Sequence, residues 1–126
     1  MRPRSLAEVA RLAAAGDSFD RCLANFLDEF RATPAAAMLE VEPMRLAVVG
    51  ATLGAVKDAD LAAVAEELAR EWGFTCPAWT PDQSRALRTP WFASSLASLR
   101  AVLLHESPAS FRARNLFVSR NALGRA

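Results

Sequence analysis

Ser18-Phe19-Asp20-Arg21-Cys22-Leu23-Ala24-Asn25-Phe26-Leu27-Asp28-Glu29-Phe30 is the stretch on which the fold turns. Its apolar residues fall at 19, 22, 23, 26, 27 and 30, a run of i, i+3, i+4, i+7, i+8 and i+11 without a miss. A 3.6-residue period gathers all six on one stripe of an α-helix, whereas a strand would scatter them over both faces. Asp17 or Ser18 supplies the N-cap, because a short side-chain oxygen there satisfies an amide that the helix leaves open. At this spacing the phenylalanines are expected to be core.

Reading toward the amino terminus, Ser5-Leu6-Ala7-Glu8 is a capping box that starts a helix, and Gly16 ends it. Reading the other way, Thr33-Pro34 has a threonine cap and a proline at the first helical position, with Met38 and Leu39 turned inward until Glu42-Pro43. Met44 to Val56 is expected to be helical despite Gly50 and Gly54. Asp58 or Asp60 opens the next helix, with Leu61, Val64, Leu68 and Trp72 inward, Glu66, Glu67, Arg70 and Glu71 outward, and Gly73 as its stop.

Beyond Gly73 the texture changes. Phe74 to Trp79 reads as extended chain, since Pro77 disfavours helix at Cys76. Thr80-Pro81-Asp82-Gln83 has the form of a short helix start, cut off by Thr89-Pro90. Ser94 or Ser95 caps a helix through Leu96, Leu99, Val102 and Leu103, and Ser107-Pro108 caps a brief turn holding Phe111. Asn115 to Val118 is the best strand candidate, with little in view to pair with it. A helical turn over 119–123 closes the chain. The expected architecture is all-α, a compact bundle of five or six helices with an irregular Trp/Pro-rich segment packed over it, in one domain spanning residues 1–126.

A chain of 126 residues is long enough for one core without disulfides. Cys22 and Cys76 form no framework, and a reducing cytoplasm is the expected compartment. The start lacks the apolar run of a signal peptide, and Leu46 to Val56 is about half of what a bilayer needs, so no membrane is expected. Charge is unevenly placed. Residues 1–72 carry eight basic and twelve acidic side chains (−4), and residues 73–126 carry seven and two (+5). Such asymmetry fits either two halves packed through complementary faces or a charged external partner.

Catalytic chemistry finds little footing. His105, the one histidine, stands beside Glu106 where a helix should end, and a helix-terminal position explains it without catalysis. Nothing flanking Cys22 or Cys76 would lower a thiol pKa. One His and two Cys at no ligand spacing make zinc very unfavourable, and phosphate loops and dinucleotide fingerprints are absent from the sequence. The expectation is no enzyme, no cofactor, no metal and no catalytic residue.

The informative third is Cys76 to Ala126. Trp72, Trp79 and Trp91 lie within twenty residues, two of them beside prolines, and tryptophan and arginine lead binding hot spots. Packing of an irregular segment would use the same indoles. Pro77-Ala78-Trp79-Thr80, Pro90-Trp91-Phe92, Glu106-Ser107-Pro108 and the block from Phe111-Arg112-Ala113-Arg114-Asn115-Leu116-Phe117-Val118 to Leu123 resemble a bacterial family of small proteins encoded beside nucleotidyltransferase-like genes, in an arrangement like a toxin–antitoxin pair. The likeness covers about residues 72–126, and Met44 to Lys57 is longer than that pattern. What the resemblance implies is a partner-binding, antitoxin-like protein. The expected contact residues are Trp79, Trp91, Phe92, Arg112, Arg114, Asn115 and Phe117, meeting a cognate protein partner such as a nucleotidyltransferase-type toxin. The alternative is a nucleic-acid-binding regulator, in which Arg85, Arg88, Arg100, Arg112, Arg114, Arg120 and Arg125 neutralise phosphates and Asn115 or Asn121 touches bases.

Overall fold

The computed structural model describes residues 2–93 and 97–119. The expected caps Ser94 and Ser95, Leu96, Arg120, Asn121 and Arg125 lie outside that range, as does the turn over 119–123 beyond its first residue. The all-α class holds. Among the described residues the helices are α1 (Leu6–Ala14), α2 (Phe19–Ala32), α3 (Ala37–Glu40), α4 (Gly54–Trp72), α5 (Ala97–Glu106) and α6 (Ala109–Arg112). A 3₁₀ turn, Gln83–Arg85, and two short strands, β1 (Trp91–Phe92) and β2 (Leu116–Phe117), complete the order.

The amino-terminal signals act as the physics requires. Ser5 Oγ accepts the Glu8 amide at 3.1 Å, while the Glu8 carboxylate reaches back to the Arg4 amide rather than to that of Ser5. Ser18 Oγ accepts the Arg21 amide at 3.2 Å and so caps α2. Phe19, Cys22, Phe26, Leu27 and Phe30 are buried, and α1 packs along α2 with Leu6, Val9 and Ala10. The central element is α4. Its alanines Ala59, Ala62, Ala63, Ala65 and Ala69 are buried among Leu61, Val64 and Leu68, so the 3₁₀ turn, α6 and β2 all approach it closely. Gly73, at φ +72°, closes α4 with the Phe74 amide donating to the Ala69 carbonyl at 2.8 Å. Trp72, expected inward, is 46% exposed and meets the Phe30 ring edge-to-face at 6.3 Å.

Three expected helices take other forms. Thr33 ends α2 through its amide on the Glu29 carbonyl, so it cannot open the next helix, and α3 starts at Ala37. The Thr80 hydroxyl turns back to the Pro77 carbonyl at 3.0 Å; Asp82 caps in its place, taking the Ser84 amide at 2.9 Å, and only the 3₁₀ turn results. Most of Met44 to Val56 is a turn-rich loop, and helix begins only at Gly54. Gly50 (φ +74°) and Leu53 (φ +53°) take left-handed conformations that break any helix there. The Asp58 carboxylate, instead of capping its own helix, accepts the Leu46 amide at 2.7 Å and the Ala47 amide at 3.1 Å, folding the loop back onto α4.

The close return of that loop depends on Gly54. A Cβ there would lie 2.6 Å from the Ala47 backbone nitrogen and Cα, and backbone cannot yield as a side-chain tip can. Gly54→Ala is therefore expected to cost about 1–3 kcal/mol of stability despite alanine's better helix propensity. Urea denaturation checks it; a stabilised variant would refute the close approach.

Asn115 to Val118 does find a partner. β2 pairs in parallel with β1, Trp91 opposite Leu116 and Phe92 opposite Phe117. Asn115 enters β2 at φ +62°, which asparagine tolerates, and its Nδ2 donates to the Leu87 carbonyl at 2.8 Å. Ser107 Oγ takes the Val118 amide at 2.8 Å and lies 2.9 Å from the Val118 carbonyl, tying the end of α5 to the chain just past β2.

Candidate functional site

A cleft of about 480 Å³ opens where α2, the start of α4 and the β1–β2 ribbon meet. Asp20, Leu23, Ala24 and Leu27 of α2 form one wall at i, i+3, i+4 and i+7, a stripe on the flank of the core-facing one. Val56, Lys57, Asp60 and Val64 of α4 form the second, with Leu53 at its lip. Trp91 and Leu116, paired across the ribbon, close the third side with Phe111. Leu23, expected in the core, is half-buried and faces this space.

The polar side chains among the described lining residues are Asp20, Lys57 and Asp60. Asp60 is half-buried in the apolar lining and has neither a hydrogen bond nor an ion pair among the described residues. Burial, with a smaller contribution from the Asp20 charge, pushes its carboxyl from 3.8 up to about 7. Lys57 places its ammonium 5.7 Å from the centre of the Phe19 ring, a cation–π contact. The cleft thus combines apolar walls with a carboxyl that has no partner among the described residues and whose pKa is raised by burial, a combination frequent at ligand sites.

The residues expected at a contact surface divide in the structure. Trp79 is 9% exposed, its indole N–H donating to the Leu39 carbonyl at 3.0 Å. Arg114 is 7% exposed and donates to Glu66 Oε1 at 2.6 Å, the Ser110 carbonyl at 2.7 Å and the Thr80 carbonyl at 2.9 Å. Phe117 is buried and stacks on Phe92 at 5.0 Å. Asn115 is half-buried in the turn before β2. These side chains have interior partners. Trp91 and Phe92 are half-buried, Arg112 is exposed, and only Trp91 of the seven lines the cleft.

Among the arginines expected to face phosphates, Arg85 is fully buried. Its guanidinium donates to the Asp58 carbonyl at 3.3 Å, to Glu42 Oε2 at 3.2 Å and to the Pro43 carbonyl, and lies 5.0 Å from the Trp79 ring centre. Arg114 is likewise turned inward. The asymmetry of charge along the sequence is therefore partly cancelled within the fold, by Arg85 with Glu42 and Arg114 with Glu66. Arg88, Arg100 and Arg112 stay exposed, Arg100 over the Phe92 ring at 5.2 Å.

His105 is exposed in the last turn of α5. Cys22 is buried and burial pushes its thiol up, the reverse of an activated nucleophile. Cys76 is exposed with Sγ 3.1 Å from Thr80 Oγ1. Among the described residues no cluster of three or more His, Cys, Asp or Glu could hold a metal, and no helix is long and apolar enough to cross a membrane.

In the sequence Asp60 has the form of a helix cap, which conceals its place in the cleft. A signal was present: Asp60 stands four residues after Val56 and four before Val64, in line with an apolar stripe. Comparison with known protein families, with curated proteins and with solved structures finds no match to this chain.

Proposed function

We propose that this chain is a non-enzymatic binding module that docks a partner protein over the cleft, seating an apolar group of the partner between α2 and α4. The observation that carries this reading is Leu53, which belongs both to the cleft lip and to a run of exposed apolar side chains. Val48, Val49 and Leu53 are 81, 51 and 55% exposed. A small ligand filling the cleft would leave Val48 and Val49 in water, whereas a protein surface covers both cleft and loop. Trp91 on the cleft wall, with Phe92 beside it and Arg112 exposed, supplies the aromatic and cationic groups such interfaces favour. The resemblance of the carboxy-terminal third makes a nucleotidyltransferase-type toxin the first partner to try.

The test is co-expression with the protein encoded next to it, followed by size-exclusion chromatography. A stoichiometric complex is expected, and Leu53→Asp should weaken it at least tenfold. Aspartate tolerates the left-handed backbone at position 53 as well as leucine does, so the thermal midpoint should hold. No complex, or one indifferent to Leu53→Asp, overturns the reading.

A further inference from the structure

We infer that the cleft selects a primary ammonium group carried on an apolar stem, held between Asp60 and Asp20. The inference deepens the docking reading and rests on the cleft receiving a guest at all. The same chemistry has two sources, the tip of a lysine side chain presented by a docked partner and a free amphiphilic amine.

Three observations converge on it. Leu23, Leu27, Val56 and Trp91 provide walls that only hydrocarbon can fill without leaving polar groups unpaired. Both carboxylates line the space without a hydrogen bond or ion pair among the described residues. Among the described residues the charged groups facing the cleft are Asp20 from α2 and Lys57 and Asp60 from α4, while β1, β2 and α6 contribute Trp91, Leu116 and Phe111, none of them charged. With both carboxylates ionised the balance is therefore one negative charge, and the Lys57 ammonium is already drawn toward the Phe19 ring. A cationic guest supplies the missing counter-charge. An anionic guest of the same shape meets the half-buried Asp60 carboxylate in the apolar wall and the exposed Asp20 carboxylate at its edge, and is rejected.

Protonation gives the inference a signature. Burial raises the Asp60 pKa to about 7, so near neutral pH it stands close to the midpoint of its titration. An ammonium beside it favours the ionised form, so binding releases a proton. Affinity for an amine should then rise about tenfold from pH 6 to pH 8, because the ionised fraction does. An uncharged guest has the opposite preference, since the neutral carboxyl is the better neighbour for hydrocarbon.

The experiment is calorimetric titration of the full chain with hexylamine, hexanol and hexanoate at pH 6, 7 and 8. The expected order is amine over alcohol over carboxylate, with the pH rise confined to the amine and abolished in Asp60→Asn. Asp20→Asn should weaken the amine several-fold while keeping the pH dependence. Replacing hexylamine by the capped tripeptide acetyl-Ala-Lys-Ala-amide, against its norleucine counterpart, separates the sources. Lysine preferred over norleucine makes the guest a protein side chain, and hexylamine binding without it makes the guest a free amine. Equal binding of amine and alcohol, or an amine profile unchanged in Asp60→Asn, overturns the charge selection. Such a result leaves the docking reading to its own test, the sensitivity of the partner complex to Leu53→Asp.

Discussion

Arg85→Ala is expected to destabilise the chain by about 3–5 kcal/mol, the cost of removing one partner from a buried, hydrogen-bonded charge cluster. The guanidinium has no exposed surface. It joins three segments remote in sequence: Glu42 and Pro43 after α3, Asp58 in α4, and its own turn below Trp79. Truncation leaves the Pro43 carbonyl without that donor, leaves Glu42 only its exposed pair with Arg45 at 2.7 Å, and strips the cation from beside Asp58 Oδ1, 3.9 Å away. It also opens a void where the largest fully buried side chain stood. Arg85→Lys keeps the charge but not the planar fork, and should recover only part of the loss. Urea denaturation followed by circular dichroism measures both. A loss below about 1 kcal/mol for alanine, within the range of an exposed pair, would refute the lock.

Asp60→Asn should act in the other direction, and only above neutrality. A carboxyl whose folded-state pKa is raised binds its proton more tightly when folded. Its burial is therefore tolerated below the unfolded value of 3.8 and becomes progressively costly as pH climbs toward about 7. Above that the penalty is constant, and a shift of this size corresponds to about 2–4 kcal/mol. Asparagine has the shape without the charge. Its variant should match the parent near pH 4 and exceed it in stability at pH 8, as thermal melts at the two pH values will show. Equal melting at pH 8 would mean that Asp60 is solvated and that the cleft is wetter than its walls suggest. A substitution that stabilises the fold while spoiling recognition is the usual mark of a functional group held at some cost.

How much of this could be read from the chain depended on the distance over which each determinant acts. α1 and α2 follow from periodicity and from caps three residues away, and Leu61, Val64 and Leu68 of α4 from periodicity alone, whereas Trp72 on the same stripe is half in water. The 44–56 segment does not follow, because what its glycines do depends on backbone angle and on space beside a distant segment, neither of which periodicity shows. Gly50 serves a positive φ, and Gly54 makes room for the Ala47 backbone. Asp58 misled for a related reason. Its partners are the amides of residues 46 and 47, upstream of the helix it seemed placed to start. Burial of Arg85 depends on residues 27 and 43 positions away, beyond any window of propensity. The interior roles of Trp79 and Arg114 depend on contacts with Leu39 and Glu66, equally remote. Of the cleft, Trp91 alone had been singled out, since a cavity belongs to the space between elements and to none of them.

Leu53 holds a further implication, seen from the standpoint of someone composing a sequence for this backbone. A left-handed residue that is mostly in water, next to a helix start it does not cap, calls for glycine or asparagine; leucine there gives up about 1 kcal/mol and exposes hydrocarbon for no internal return. A designer asked only for a stable fold would never write it. The proposed docking site gives that leucine a reason the isolated fold does not supply.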